Sequence, residues 1–171
     1  MTSEHHGYLE LFEKHLHEMD AVMNVLLKGH LIIEHALDNI IDMFFFHAEH
    51  IQNRNLTFSN KLAIVRALAL DKNRDDTWTM IEQINSLRNA VAHKLVIDAR
   101  KKKIGALKEL YFKQVEKSFA EKHSDSDDKI IVAHSCGFCV GYLAEFESDL
   151  GDLRKMIDSL SEATKLGKSN V

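Results

Sequence analysis

The chain has no proline in its 171 residues, only seven glycines and only two cysteines. Proline lacks an amide donor and clashes with the preceding helical turn, so its absence suits long unbroken helices. The same absence argues against a turn-rich β architecture, which places proline and glycine at its corners. Nor is there a long uncharged apolar run. The richest stretch, from Val22 to Phe46, is interrupted by Lys28, His30, Glu34, His35, Asp38 and Asp42, and does not read as a membrane span. The first residues, Met1-Thr2-Ser3-Glu4-His5-His6, lack the basic and apolar regions of a signal peptide. A cytoplasmic, reduced protein without a membrane partner is the expectation.

What is present is a soluble composition, 45% hydrophobic and 28% charged, with a formal net charge of −4. That balance excludes a protein that coats nucleic acid by bulk charge, but not one with a local basic patch. One domain with a sizeable core fits the length.

Apolar residues recur in steps of three and four along most of the chain, the mark of amphipathic helices. Tyr8, Leu11, Phe12, Leu16 and Met19 outline a first short helix. A long second helix runs from Asp20 to about His50 on the stripe Val22, Leu26, Gly29, Ile33, Leu37, Ile40 and Phe44, and Asn53-Arg54-Asn55 ends it. Thr57 has the chemistry of a helix cap for Leu62, Val65 and Ala69. A fourth helix carries Trp78, Ile81, Ile84, Leu87 and Val91 on one face. Asp98 is placed to cap a fifth that reaches about Lys122, and a last long helix spans about Lys129 to Thr164. There is no internal repeat. The predicted fold is an all-α, up-and-down bundle of about five to six helices in a single domain, residues 1–171. Leu26, Ile33, Leu37, Ile40, Ile84, Leu87 and Val91 should lie in its core.

The segment that points to chemistry is Leu87-Arg88-Asn89-Ala90-Val91-Ala92-His93, where an arginine and a histidine are separated by four residues near a helix end. A guanidinium stays charged and grips phosphate oxygens, while an imidazole titrates near neutrality and moves protons. On a helix, Asn85, Asn89 and His93 fall in one row with Arg88 beside it, and Ala90 and Ala92 leave room for another surface to approach. On the second helix, Glu34 is surrounded by Leu27, Leu31, Leu37 and Ile41, with only His30 and Asp38 adding polarity to its row. A carboxylate in such company is partly buried and needs a cation, for which Arg88 is the candidate across the bundle. Arg100-Lys101-Lys102-Lys103 follows closely in sequence and offers cations for RNA phosphates.

Three blocks together, Lys28-Gly29-His30-Leu31-Ile32-Ile33-Glu34-His35-Ala36-Leu37-Asp38, Leu56-Thr57-Phe58-Ser59-Asn60-Lys61-Leu62 and Leu87 to His93, resemble the HEPN superfamily. Within it they are similar to the mannitol-operon-repressor-like branch. The resemblance covers about residues 20–115, with the C-terminal helix, about 129–164, packing on that core. The family signature is an arginine, a polar residue and a histidine a turn or so later, matched here by Arg88, Asn89 and His93. The resemblance implies a homodimer with facing motifs and a metal-independent endoribonuclease of toxin or defence type, needing no cofactor. Glu34 and Asn85 would support the site, and an antitoxin or regulatory protein would be the partner. Its alternative implication is a non-catalytic regulatory module, although no helix-turn-helix is recognisable.

Two other motifs compete. Cys136-Gly137-Phe138-Cys139 after Ile130-Ile131-Val132 has the spacing of a redox pair at a strand-to-helix turn. That fold needs a βαβ framework and a cis-proline, and a zinc site needs about four ligands, so two buried thiols on a helix fit better. Eleven histidines raise a metal site, with His47 and His50, or His30 with Glu34, as candidates. Di-iron bundles use Glu-x-x-His, which does not occur, and most of the histidines read as surface residues with no metal assigned.

Overall fold

The computed structural model describes residues 21–52, 55–69, 75–92 and 97–168. Among these it has seven helices and no strand: α1 (Ala21–Phe44), α2 (Glu49–Gln52), α3 (Phe58–Ala67), α4 (Asp75–Ala92), α5 (Ile97–Gln114), α6 (Lys117–Lys122) and α7 (Asp128–Lys168). The protein is an all-α helical bundle. The first amphipathic pattern, Tyr8 to Met19, lies outside the described residues.

The α1 stripe is buried as its spacing requires. Leu26, Ile33, Leu37 and Ile40 are fully enclosed, together with Trp78, Ile81, Ile84 and Leu87 of α4. Val91 is only half-buried, packed at the edge of this core. Gly29 of α1 meets Cys136 of α7, and further along Met43 meets Gly151, so the two helices run side by side in the same direction. His30 reaches Asn85, while Trp78 contacts Tyr142 and Phe146 of α7. Those pairings set α4 antiparallel to α1. Although α7 has an apolar stretch long enough to cross a membrane, it buries Val132, Cys136, Cys139 and Leu143 in the bundle.

Two helix ends differ from the sequence expectation. Instead of continuing to about His50, α1 stops at Phe44. Arg154 of α7 donates through Nη1 to the carbonyls of Met43 (3.3 Å) and Phe44 (2.6 Å). These terminal carbonyls have no partner within the helix, and a cation at this end also suits the helix dipole. The fifth predicted helix is likewise broken, at Val115 and Glu116. The break folds Phe119 back so that its ring lies 6.5 Å from that of Tyr111. Eight residues of continuous helix would separate the two by about 12 Å along the axis. Asp98 falls inside the first turn of α5, which begins one residue earlier.

Thr57 is the cap that its position suggested. Its hydroxyl oxygen accepts from the Asn60 amide at 3.3 Å and fixes the start of α3. Ile130 to Val132 lie within α7 and not in a strand. Burial pushes the Cys136 thiol up to about 12 and moves Cys139 in the same direction, which removes the thiolate that redox chemistry needs.

Candidate nucleic-acid site

The capped start of α3 brings Phe58 against α1, where its ring stacks on His30 at 4.3 Å. His30 is only 5% exposed. With Nε2 protonated, it donates to Asn85 Oδ1 at 3.0 Å, and the Asn85 amide reaches Ser59 Oγ at 3.4 Å. One carboxamide on α4 is thereby fixed from both α1 and α3.

Burial lowers the His30 pKa below 6.5. The Asn85 hydrogen bond and the charge of Glu34 oppose the shift, while Arg88 and Lys61 add to it. The folded protein therefore holds this ring neutral, whereas the unfolded chain binds a proton more readily. Its contribution to stability is fully present above about pH 6.5 and is lost as pH falls through the lowered folded value. Thermal melts should show this acid-side loss in the native protein. His30→Gln, which keeps an amide donor for Asn85, should show a shallower dependence between pH 6.5 and 5. Equal slopes for the two proteins would remove His30 as its source.

Glu34 pairs with Lys61, not with Arg88 as its apolar surroundings led one to expect. The Lys61 ammonium donates to Glu34 Oε1 at 2.9 Å and to Asp38 Oδ2 at 2.8 Å. The cause is the crossing of α3 over α1, which sets one lysine between two carboxylates a helical turn apart. Burial alone would lower the Lys61 pKa, but the hydrogen bonds to Asp38 and Glu34 outweigh it and raise the value. Arg88 turns instead to Asn89, donating from Nη1 to Oδ1 at 3.2 Å. Among the described residues no carboxylate neutralises it.

Arg88, Asn89, Asn85, His30 and Glu34 all line one cavity of about 250 Å³, closed on its α3 side by Thr57, Phe58 and Ser59. A larger cavity of about 610 Å³ adjoins it across Ser59, Asn85 and Asn89, with Ser86, Arg66 and Glu82 on its walls. Arg66 is already committed to Asp75 and Glu82. The basic run divides on α5. Lys101 and Lys102 are exposed and Arg100 is half-buried, while Lys103 donates to Ser86 Oγ at 2.6 Å and so reaches the rim of the larger cavity. Ala90 is buried in the core of its own chain and does not open a surface for another. His93 lies outside the described residues.

The arrangement can hold an anion. A half-buried guanidinium faces a polar cavity, an amide stands beside it, and a second cation borders the adjoining groove. The residues missed from sequence were His30, Lys61 and Ser59. Histidine four residues before a half-buried glutamate was the visible sign, read there as added polarity and as a candidate metal pair rather than as part of this site. No protein-family model, curated protein or solved structure matches the chain.

Proposed function

We propose that this chain is a HEPN-type protein whose Arg88-Asn89-His93 segment acts on RNA in a homodimer, cleaving it without metal. The observation that carries the reading is the shared cavity. Arg88 and Asn89 face the same space as the fixed Asn85, and no carboxylate of the described residues competes for the guanidinium. Metal-free cleavage uses the substrate's own 2′-hydroxyl as nucleophile, so the protein must move two protons and stabilise a crowded phosphate. Arg88 would take the nonbridging oxygens in a forked contact, Asn89 would orient it, and Lys103 with its neighbours Arg100, Lys101 and Lys102 would guide the strand. One chain brings one His93. A twofold assembly with the Asn85–Asn89 face at its axis would bring the second.

The test is incubation of the purified chain with RNA and DNA panels in EDTA. RNA alone should be cut, leaving a 2′,3′-cyclic phosphate, and light scattering should report a dimer. A different observation favours a second reading. Asn85 is already engaged by His30 and Ser59, and the smaller cavity has room for little more than a phosphate or a base. A non-catalytic module that binds a nucleotide or a regulatory partner would have the same features. Intact RNA across the panel, with retained binding that Arg88→Ala abolishes, would select it.

A further inference from the structure

Beyond the end of α1, the chain makes a tight turn that carries three exposed donor groups on one side. His47 Nδ1 lies 3.2 Å from Glu49 Oε1, and His50 Nε2 lies 3.9 Å from the same oxygen. All three donors fall within 4.8 Å of one another. The backbone fixes this spacing. The His50 amide donates to the His47 carbonyl at 3.2 Å and the Ile51 amide to that of Ala48 at 2.9 Å, so the two imidazoles emerge one turn apart.

The turn is also tied to the bundle. Arg154 holds the carbonyls that precede it and lays its guanidinium 3.4 Å over the Phe46 ring, while Ile51 packs against the core on the far side. Three donors on an anchored turn lose less freedom on gathering around an ion than three on a loose chain would.

We propose that His47, Glu49 and His50 form a surface site for one borderline divalent transition ion of the zinc class. Two imidazole nitrogens and one carboxylate oxygen are the donors that zinc, nickel and copper accept. Calcium or magnesium would find only one oxygen ligand here and prefers several. Bonds of about 2.0–2.2 Å to a common ion require donors about 3–3.5 Å apart. The two separations from the Glu49 oxygen, 3.2 and 3.9 Å, need shifts of under an ångström, and side chains 60–79% exposed can draw the two imidazoles together without disturbing the core. Such exposure leaves the other coordination positions open to water, as in sites that exchange ligands.

This site is separate from the Arg88 cavity. About 20 Å of α1 lies between His30 and the turn, so metal binding here and RNA cleavage in EDTA are independent outcomes.

The test is calorimetric titration of the untagged full chain with zinc chloride, repeated with magnesium and calcium. Zinc should bind saturably, with one ion lost from each of His47→Ala, His50→Ala and Glu49→Gln through at least a tenfold weakening, on the scale by which even outer-shell ligands matter. Magnesium and calcium should give no saturable heat. Cobalt should develop visible absorption bands in the native chain that the His47→Ala/His50→Ala variant lacks, while its melting curve stays native. A His5→Ala/His6→Ala variant should keep the site, although those residues are the chain's one pair of neighbouring histidines in sequence. Undiminished zinc affinity in the His47→Ala/His50→Ala protein, or no saturable binding by the native chain, would overturn the proposal.

Discussion

Arg88→Ala and His93→Ala should each slow RNA cleavage by about 10²-fold or more, the usual scale for a positioned acid–base or charge-stabilising group. Arg88→Lys should restore little, because an ammonium cannot make the forked contact of a guanidinium. Both variants should keep the native melting temperature. Arg88 is half-buried and, among the described residues, its hydrogen bond goes to its exposed neighbour Asn89, so replacing it breaks no bond to the core there. By contrast, Lys61→Ala should cost stability as well as rate, because Glu34 and Asp38 would face each other without their shared cation. Comparing the two separates chemistry from scaffold. Gel assays on a labelled RNA, with melts run in parallel, give both readings. Unchanged cleavage in Arg88→Ala and His93→Ala together would place the activity at another site or in a contaminant.

Much of the fold was legible because a helix writes its buried face into its own sequence. The spacing of Leu26, Ile33, Leu37 and Ile40 needs no knowledge of the partner to be read, and all four are enclosed. Thr57 was legible for a similar reason, since a cap acts within three residues of itself. What failed depended on distant chain. The end of α1 is set by Arg154, 110 residues away from Phe44, and no local signal marks it. The break before α6 follows from Phe119 packing back on Tyr111, which a periodic pattern cannot announce.

The candidate site divides along the same line. Asn85, Arg88 and Asn89 share a helix, so their common side followed from spacing, and they do line one cavity. The cation for Glu34 was not legible. Its apolar neighbours required a partner, but whether Arg88 or Lys61 supplied it turned on how α3 crosses α1. Since Lys61 takes that role, Arg88 is left facing the cavity, with no carboxylate of the described residues neutralising its guanidinium.

The packing of α1 against α7 depends on one glycine, and replacing it should have a large effect of unexpected sign. Gly29→Ala exchanges a poor helix former for the best one, in the middle of a long helix. Propensity alone therefore predicts a gain of about 1 kcal/mol. The backbone gives no counter-argument, because Gly29 does not adopt a positive φ. Packing decides otherwise. A Cβ at position 29 would lie 2.5 Å from Cys136 Sγ and 2.7 Å from Cys136 Cβ. The sulfur could rotate away, but the Cβ moves only with its helix, so α1 and α7 must separate along their shared face. Overpacking of this kind costs about 1–3 kcal/mol and occasionally more. Gly29→Ala should accordingly lower the urea midpoint, and Gly29→Leu should lower it much further. Cys136→Ala on the Gly29→Ala background should return only part of the loss, since it removes the sulfur and leaves the less movable constraint, the Cβ at 2.7 Å, in place. The double-mutant cycle would show a coupling that two independent sites lack. If Gly29→Ala instead melts higher than the native chain, the close approach of α1 and α7 at Gly29 and Cys136 is wrong.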